Sequence, residues 1–310
     1  MNEKAFLPVP ENIFVNVLKR LEKNEKSFND DVVSVRKWME TQLHLPEILV
    51  LDSRCISNFL ISNKFCVENA KEKIDMYYTI RSKLHDVYGQ INPKLAHMKE
   101  LMDLVYLVPY PKKLDNIYEI AFFKVRSTTF LDKLEPYNIL RHVINIQEVR
   151  LRENVLSGDV FVIDCEGLPL SFAVKITPTL VFKSLIMIYE KVFSCCLKDV
   201  YIVNLPSFGK AVLAMVKKII KPKLFERIHI CSDINEVKTN IPANMLPKDF
   251  GGEGPSCEDL QEMVKLKFME KQELFDRLDK IRVDERIRPE KLRDDEILGF
   301  HGNFKKLDID

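Results

Sequence analysis

The sequence lacks the motifs that most enzymes use for phosphate, cofactor or metal chemistry. It has only 9 glycines in 310 residues, and none forms the G-x-G-x-x-G or G-x-x-x-x-G-K-[ST] pattern of dinucleotide-binding and P-loop proteins. Ser207 lies in LPSFG, which lacks a flanking glycine of a nucleophile elbow. The 6 histidines do not cluster with cysteine or acidic residues at metal-ligand spacing. We therefore expect no catalytic residue, no metal and no cofactor.

Long apolar runs and a secretion signal are also absent. No run of about 18 residues is apolar and uncharged, so no segment is expected to span a bilayer. The first residues, MNEKAFLPVP, lack the apolar core of a signal peptide. The 7 cysteines are odd in number and show no C-x-x-C, which favours free thiols in a reducing compartment. These features predict a cytoplasmic protein.

The overall charge is balanced, with 47 basic residues against 46 acidic ones, so nothing points to nucleic acid as a partner. The distribution of charge is uneven. Residues 198–227 carry seven basic and two acidic side chains, a local net charge of +5. This stretch therefore favours an anionic partner.

The stretch Lys198–Asp233 has the pattern of a strand, a helix and a second strand. Val200–Asn204 and Arg227–Cys231 are short and apolar, as expected of neighbouring parallel strands. The helix predicted over Ser207–Ile220 ends near Pro222 and is apolar over more than half of its circumference. Two interpretations are open at this point. The helix either packs in the core, or closes a lipid cavity while its lysines face an anionic surface.

The remaining patterns predict an α/β fold with a helical unit in front of it. Apolar residues at helical spacing dominate the first hundred residues, and strands alternate with helices over 117–233. A short helix is also predicted over Glu11–Lys23, and another is predicted to begin at Thr177-Pro178. We divide the chain into a lead-in (1–29), a helical domain (30–100), an α/β domain (101–255) and a C-terminal helix with a charged tail (256–310).

Asp164 and Glu166, in IDCEG, are the best candidates for an acid pair. Their spacing puts both on one face of a strand if the strand extends that far. The alternative, which we favour, is that they bind backbone N–H groups at a strand end before the turn at Gly167.

Five motifs, in order, carry a resemblance to a known family. They are IDCEGLPL, KITPTL, VYIVNLPSF, ERIHI and LPKDFGGEG, preceded by a helical segment LDSRCISNFLISNKFCVENAKEKI. In this order and spacing they resemble the CRAL-TRIO lipid-transfer family over about residues 30–265. The resemblance implies non-catalytic lipid binding by a helical N-terminal domain and an α/β domain. In the latter, a mostly parallel sheet floors a hydrophobic pocket closed by a gate helix, here Ser207–Ile220.

The resemblance also implies a lipid cavity and a small hydrophobic ligand. The apolar side chains expected to line the cavity are Val162, Leu185, Ile188, Tyr189, Phe193, Val212, Met215, Val216, Ile219 and Ile220. Tocopherol, retinoid, carotenoid, sterol and phospholipid chains suit such a lining equally well, and Tyr189 or Ser194 is the candidate partner of a ligand hydroxyl.

The second implied feature is docking on anionic membranes, with phosphoinositides as one candidate lipid. The expected head-group residues are Lys198, Lys217, Lys221, Lys223 and Arg227. Asn63 and Cys196 stand where relatives often carry a cation, which puts phosphoinositide recognition in question. We expect a monomer in transient contact with membranes. The alternative function is a regulatory or protein-interaction module that uses a lipid as a signal.

Overall fold

We describe a computed structural model of the chain. It describes residues 18–19, 22–46, 50–176, 180–193, 196–289 and 291–292. Most of the helix predicted over Glu11–Lys23, the start predicted at Thr177-Pro178, Ser194 and the end of the charged tail lie outside these residues.

The N-terminal unit is helical, as predicted. Its helices are α1 (Glu25–Thr41), α2 (Ser53–Ser62), α3 (Val67–Lys83), the single turn α4 (His85–Tyr88) and α5 (Ala96–Leu104). The Asn24 side chain caps α1 by accepting from Lys26 N at 2.9 Å. Asp52 caps α2 by accepting from Cys55 N at 2.9 Å.

The sheet has five strands in the order β1 to β5. They are β1 (Val105–Pro109), β2 (Glu119–Val125), β3 (Asp159–Asp164), β4 (Leu197–Val203) and β5 (Ile228–Ile230). β1 pairs antiparallel with β2, and the other neighbours are parallel. The sequence patterns predict β2 to β5 but not β1. β1 follows α5 with no turn residue between them, and its closing proline is tolerated because the strand lies at the sheet edge.

Helices connect the parallel strands and follow the last one. They are α6 (Pro136–Glu153), α7 (Leu170–Ile176), α8 (Leu180–Met187, continued by a π-helical turn Ile188–Val192), α9 (Gly209–Ile219), α10 (Pro222–Phe225), α11 (Ile234–Lys238), α12 (Cys257–Glu270) and α13 (Gln272–Leu278). Ser256 and Asp259 cap α12 reciprocally. Because β2 to β5 are added in one direction, right-handed crossovers place α6, α8 and α9 on the same face of the sheet.

The two faces of the sheet are covered differently. On one face, which we call the loop face, Val162 lies between Phe122 and Tyr201 in register. The segment 241–254 covers this face, with the Phe122 and Phe250 rings 5.0 Å apart. The turn there needs glycine, since Gly251 has φ +67° and a Cβ on Gly252 would overlap the Leu246 carbonyl. The opposite face, which we call the α9 face, carries Phe161, Ile163, Val200, Ile202, Ile228 and Ile230.

The helical unit and the α/β domain share one continuous core. Buried Tyr77 of α3 donates to Glu148 of α6 at 2.8 Å, and buried Arg81 pairs with the same carboxylate. At the C-terminal end of the described chain, Arg288 reaches back to Asp75 of α3, with N–O distances of 2.6 and 2.9 Å. The N-terminal helices are therefore fixed against the sheet domain by buried ion pairs as well as by apolar packing.

Candidate lipid site on the α9 face

The α9 face is incompletely covered where it reaches β4 and β5. Phe161, Val200 and Ile228 are half-buried and Ile230 is 54% exposed, whereas Ile202 on the same face is buried. On the loop face, by contrast, the neighbouring Val162 and Tyr201 are buried. Apolar strand residues on a face crossed by a helix are normally packed beneath that helix. The uncovered strip of β3, β4 and β5 is therefore the part of the sheet that offers apolar surface to a ligand.

Helix α9 presents apolar side chains both inward and outward. It spans Gly209–Ile219, two residues shorter at the start than predicted, with Leu213 and Val216 buried. Met215 is 39% exposed, which places it away from the packed side of the helix. Among the other predicted cavity residues, Val212, Ile219 and Ile220 are half-buried. Of the residues of α9, only Gly209, Leu213 and Val216 are buried, so the helix is held by a narrow apolar stripe.

The start of α9 is fixed by one close approach. A Cβ on Gly209 would lie within 2.6 Å of Leu205 Cγ, so glycine lets the helix begin against that side chain. The residue at the N-cap position is Phe208, not the preceding Ser207, and no side chain caps the helix there.

The cavity residues predicted on α8 and its π-helical turn do not all border the α9 face. Tyr189 lies against Phe161 with ring centroids 6.1 Å apart, and its hydroxyl accepts from Gln147 Nε2 at 3.0 Å. Ile188 is buried, and Phe193 packs on Tyr77 of α3 at 6.3 Å. Tyr189 therefore borders the α9 face, whereas Phe193 belongs to the contact with the helical unit.

Two further predicted cavity residues, Leu185 and Val162, pack in or against the main core. Leu185 is half-buried against the main core. Val162 is fully buried on the loop face, so the structure does not bring it together with Tyr189 in one cavity. The residues that replace it on the α9 face are its neighbours Phe161 and Ile163. Alternation along DVFVID predicts that these two share a face, but it does not predict which segment of the chain packs on that face.

The predicted cations surround the end of α9 and the β4–β5 edge. Lys221 Nζ lies 3.0 Å from Glu190, and Lys217 Nζ lies 5.3 Å from the centroid of the Phe225 ring. Lys223 is exposed. Lys217, Lys218, Lys221 and Lys223 are all exposed, although Lys221 already has an acidic neighbour.

Lys198 and Arg227 have structural partners in the sheet. Lys198 Nζ lies 3.5 Å from Asp199, and the Arg227 guanidinium donates to the Leu197 carbonyl, with the exposed Cys196 Sγ 3.9 Å away. Arg227 thereby ties β4 to the segment that precedes β5.

Two family profiles match the chain. The CRAL/TRIO domain matches residues 84–252, more than half of the chain, and a Pinta-like UBA domain matches residues 24–98. The first match includes all five strands, α9 and the glycine turn. The chain belongs to the CRAL/TRIO family. This is a family of lipid-binding and lipid-transfer proteins, which agrees with the resemblance carried by the sequence motifs.

Relatives of this CRAL/TRIO chain include the alpha-tocopherol transfer protein-like proteins of Mus musculus and Homo sapiens. They are 27% and 26% identical to it over 206 residues, which is 65% of this chain and 59% of each relative. The chain therefore matches less than two thirds of the length of these relatives. The solved structure of Sfh5 superposes with a TM-score of 0.49 at 13% identity, covering 86% of this chain and 99% of the other.

In this CRAL/TRIO chain the two positions expected to have lost a cation serve other contacts. Asn63 lies at the C-terminal end of α2, where its Nδ2 donates to the Phe59 carbonyl at 2.8 Å. Cys196 is exposed beside Arg227. Neither side chain supplies a positive charge near the sheet edge.

Asp164 fixes the strand ends next to α9. Its carboxylate accepts from Lys124 Nζ at 2.5 Å, Asn204 Nδ2 at 2.9 Å and Glu166 N at 3.0 Å. Burial alone would raise its pKa, but the Lys124 and Asn204 donors outweigh burial and hold the pKa of Asp164 below its ordinary value. The exposed Glu166 lies 3.5 Å from Lys124. Asp164 thus binds a backbone N–H group at the strand end, as the favoured interpretation expects, whereas the Glu166 side chain faces Lys124 instead.

The described part of the chain holds no group of three or more histidine, cysteine, aspartate or glutamate side chains placed to bind a metal. None of the helices in that part combines the length and the apolar character needed to cross a membrane.

Proposed function

We propose that this protein binds one elongated apolar molecule between α9 and the α9 face of the sheet, and carries it without chemical conversion. The observation that supports the proposal is the uncovered strip of β3, β4 and β5, where Ile230 is 54% exposed beside half-buried Phe161, Val200 and Ile228. Helix α9, which is buried only at Gly209, Leu213 and Val216, crosses the same face of the sheet. A ligand lying there replaces water against both surfaces.

The size of the driving force is adequate for a carrier. A ligand that removes about 200 Å² of apolar surface from water gains roughly 5 kcal/mol before the cost of association. Because association offsets part of this gain, we expect reversible binding. Tyr189 brings a hydroxyl to the edge of this strip, although Gln147 already donates to it.

The ligand class follows from the family and from the lining. The relatives of Mus musculus and Homo sapiens are named for alpha-tocopherol, so tocopherol is the first ligand to test. The apolar strip offers the same kind of surface to retinoid, carotenoid, sterol and phospholipid chains. We propose a small hydrophobic ligand of this group.

We further propose that the protein acts in the cytoplasm and docks transiently on anionic membranes through the edge that α9 shares with β5. Lys217, Lys218 and Lys223 are exposed at the end of α9 and before β5, and the apolar Met215 of α9 and Ile230 of β5 are exposed as well. Juxtaposed basic and apolar side chains suit the surface of an anionic bilayer. Phosphoinositides are included among the candidate lipids, with recognition by charge favoured over stereospecific contact because Asn63 and Cys196 are neutral.

The experiment combines extraction with a matched substitution. Organic extraction of the purified protein followed by mass spectrometry identifies a co-purifying lipid, and tocopherol uptake from phosphatidylcholine vesicles gives an affinity. Ile230→Asp places a charge on the proposed strip and is expected to weaken tocopherol binding by about tenfold or more. Ile287→Asp is the control, since Ile287 is 51% exposed and lies outside the strip.

Three results would contradict the proposal. The first is a purified protein that contains no lipid and takes up none of the ligand classes named above. The second is equal tocopherol affinity of wild type and Ile230→Asp. The third is an equal loss in Ile230→Asp and Ile287→Asp, which would locate binding elsewhere.

A further inference from the structure

A cavity lies away from α9, where the helical unit, α6 and the C-terminal helices meet. Its volume is about 570 Å³. Residues from four parts of the chain line it: α1, the segment before α2, the end of α6 and the α12–α13 junction with α13. None of its lining residues belongs to α9 or to the sheet. The cavity is therefore separate from the proposed lipid site.

The lining of this junction cavity is positively charged. Four cations face it, against the two carboxylates of Asp52 and Glu153. The cations are Arg36, Arg152, Lys271 and Arg277. Both carboxylates are already engaged. Asp52 caps α2 by accepting from Cys55 N at 2.9 Å, and Glu153 lies 2.7 Å from Lys271. The net charge facing the cavity therefore favours an anion.

Two of these cations have bonding capacity to spare. Within the described part of the chain, the Arg36 side chain donates only to Ser53 Oγ, at 3.3 Å, and the Arg277 side chain has no ion-pair or hydrogen-bond partner. A guanidinium has five N–H donors in a planar fork that matches phosphate and carboxylate oxygens. Arg36 and Arg277 belong to different ends of the chain, yet they line one cavity.

The third basic group is set in the wall of the cavity. Arg152 donates to Glu148 at 2.7 Å, while buried Arg81 shares that carboxylate. Burial opposes the charge of Arg152, but nearby Tyr77 and Glu148 outweigh burial and raise its pKa. Two guanidinium groups on one carboxylate leave a net positive charge behind the cavity.

The cavity also has an apolar floor and the N-terminus of a helix at one end. Buried Leu51, Val149 and Leu274 give an apolar floor. The ten-residue helix α2 starts at Ser53, so the positive end of its dipole faces the same space. A ligand that matches the site carries a doubly charged head and a small apolar group.

We propose that the junction cavity is a binding site for an organic phosphate monoester, held by Arg36 and Arg277 and supported by Arg152. Such a ligand joins the helical unit to α6 and α13, since each contributes to the lining. The source of the phosphate is either a soluble metabolite or a lipid with a terminal phosphate. The proposal does not depend on the lipid site at α9.

The test uses the full-length protein and defined probes. Phenyl phosphate, inorganic phosphate and phenol are titrated by isothermal calorimetry, and the melting temperature is measured with each. Phenyl phosphate is expected to bind more tightly than inorganic phosphate and to raise the melting temperature, while phenol does neither. Arg36→Gln and Arg277→Gln are each expected to weaken phenyl phosphate binding by about tenfold or more, because each removes a charge-assisted contact.

Arg286→Gln is the matched control, since Arg286 is exposed, pairs with Asp284 and lies outside the cavity. Arg277→Lys, which keeps the charge, is expected to retain part of the affinity. Vesicles of phosphatidylcholine with about 10% phosphatidic acid distinguish a lipid phosphate from a soluble phosphate ester. Loss of vesicle binding in Arg277→Gln indicates the lipid, whereas loss only with phenyl phosphate indicates a soluble ligand.

Failure of phenyl phosphate to bind the wild type, together with vesicle binding that the arginine substitutions do not change, would overturn the proposal. So would equal losses in Arg286→Gln and Arg277→Gln. If Arg277→Gln lowers the melting temperature without ligand, the test rests on Arg36→Gln, whose half-buried side chain lies on a different helix.

Discussion

Replacing Asp164 by asparagine tests whether one buried carboxylate fixes the approach to α9. The substitution keeps the size of the side chain and an oxygen for Glu166 N, but removes the charge that faces Lys124 at 2.5 Å. Asn204, whose φ of 52° begins the turn into α9, also donates to this carboxylate. A hydrogen bond to a charged group contributes about 1.5–3 kcal/mol. We therefore expect the free energy of unfolding to fall by about 2 kcal/mol.

The dependence on pH follows from the direction of the shift. The pKa of Asp164 is lowered in the folded state by Lys124 and Asn204, against the effect of burial. A group of this kind stabilises the fold above its unfolded pKa of about 3.9, and the contribution is lost as the pH falls through the folded pKa. The difference between wild type and Asp164→Asn is thus constant near neutral pH. It shrinks below about pH 4 as the wild-type carboxylate becomes protonated.

Urea unfolding, followed by circular dichroism between pH 7 and pH 3, measures both effects. Glu166→Gln is the control because Glu166 faces the same lysine at 3.5 Å but has a side chain that is 72% exposed. Exposed pairs contribute little, so the control is expected to change stability by less than about 0.5 kcal/mol. Equal losses in the two variants, or a loss in Asp164→Asn that does not shrink in acid, would refute the reasoning. Unchanged tocopherol uptake by a folded Asp164→Asn indicates a structural role for the carboxylate.

Two further predictions concern α9. Gly209→Ala adds a Cβ within 2.6 Å of Leu205 Cγ, so we expect thermal unfolding to show a loss of about 1–3 kcal/mol. Leu205→Ala in the same chain is expected to make the combined loss less than additive, and strictly additive losses would count against this contact. Lys217→Glu with Lys221→Glu is expected to weaken binding to anionic vesicles by about tenfold or more in a sedimentation assay, since each lysine contributes about 1 kcal/mol. Tocopherol affinity is expected to stay unchanged, and Lys280→Glu is the control. If the double variant binds anionic vesicles as tightly as the wild type, these lysines do not form the docking edge.

The sequence alone determined the elements whose signals are local. Apolar residues at helical spacing predicted a helix over Pro136–Arg152, and α6 spans Pro136–Glu153. The apolar run Val160–Asp164 predicted a strand, and β3 is Asp159–Asp164, but the predicted burial on both faces is incomplete because Phe161 and Ile163 are half-buried. The family likewise followed from the order of short motifs, because each motif reports a turn or a strand end whose geometry depends on nearby residues.

Only the tertiary structure decided which residues meet. The alternation along β3 puts Val162 and Phe161 on opposite faces, but the cover of each face comes from segments about 30 to 90 residues away, Tyr189 for one and Phe250 for the other. The same is true of the junction cavity, whose Arg36 and Arg277 are far apart in sequence. Periodicity fixes the direction of a side chain relative to its own element. The partner that it contacts is set by how the chain folds back on itself.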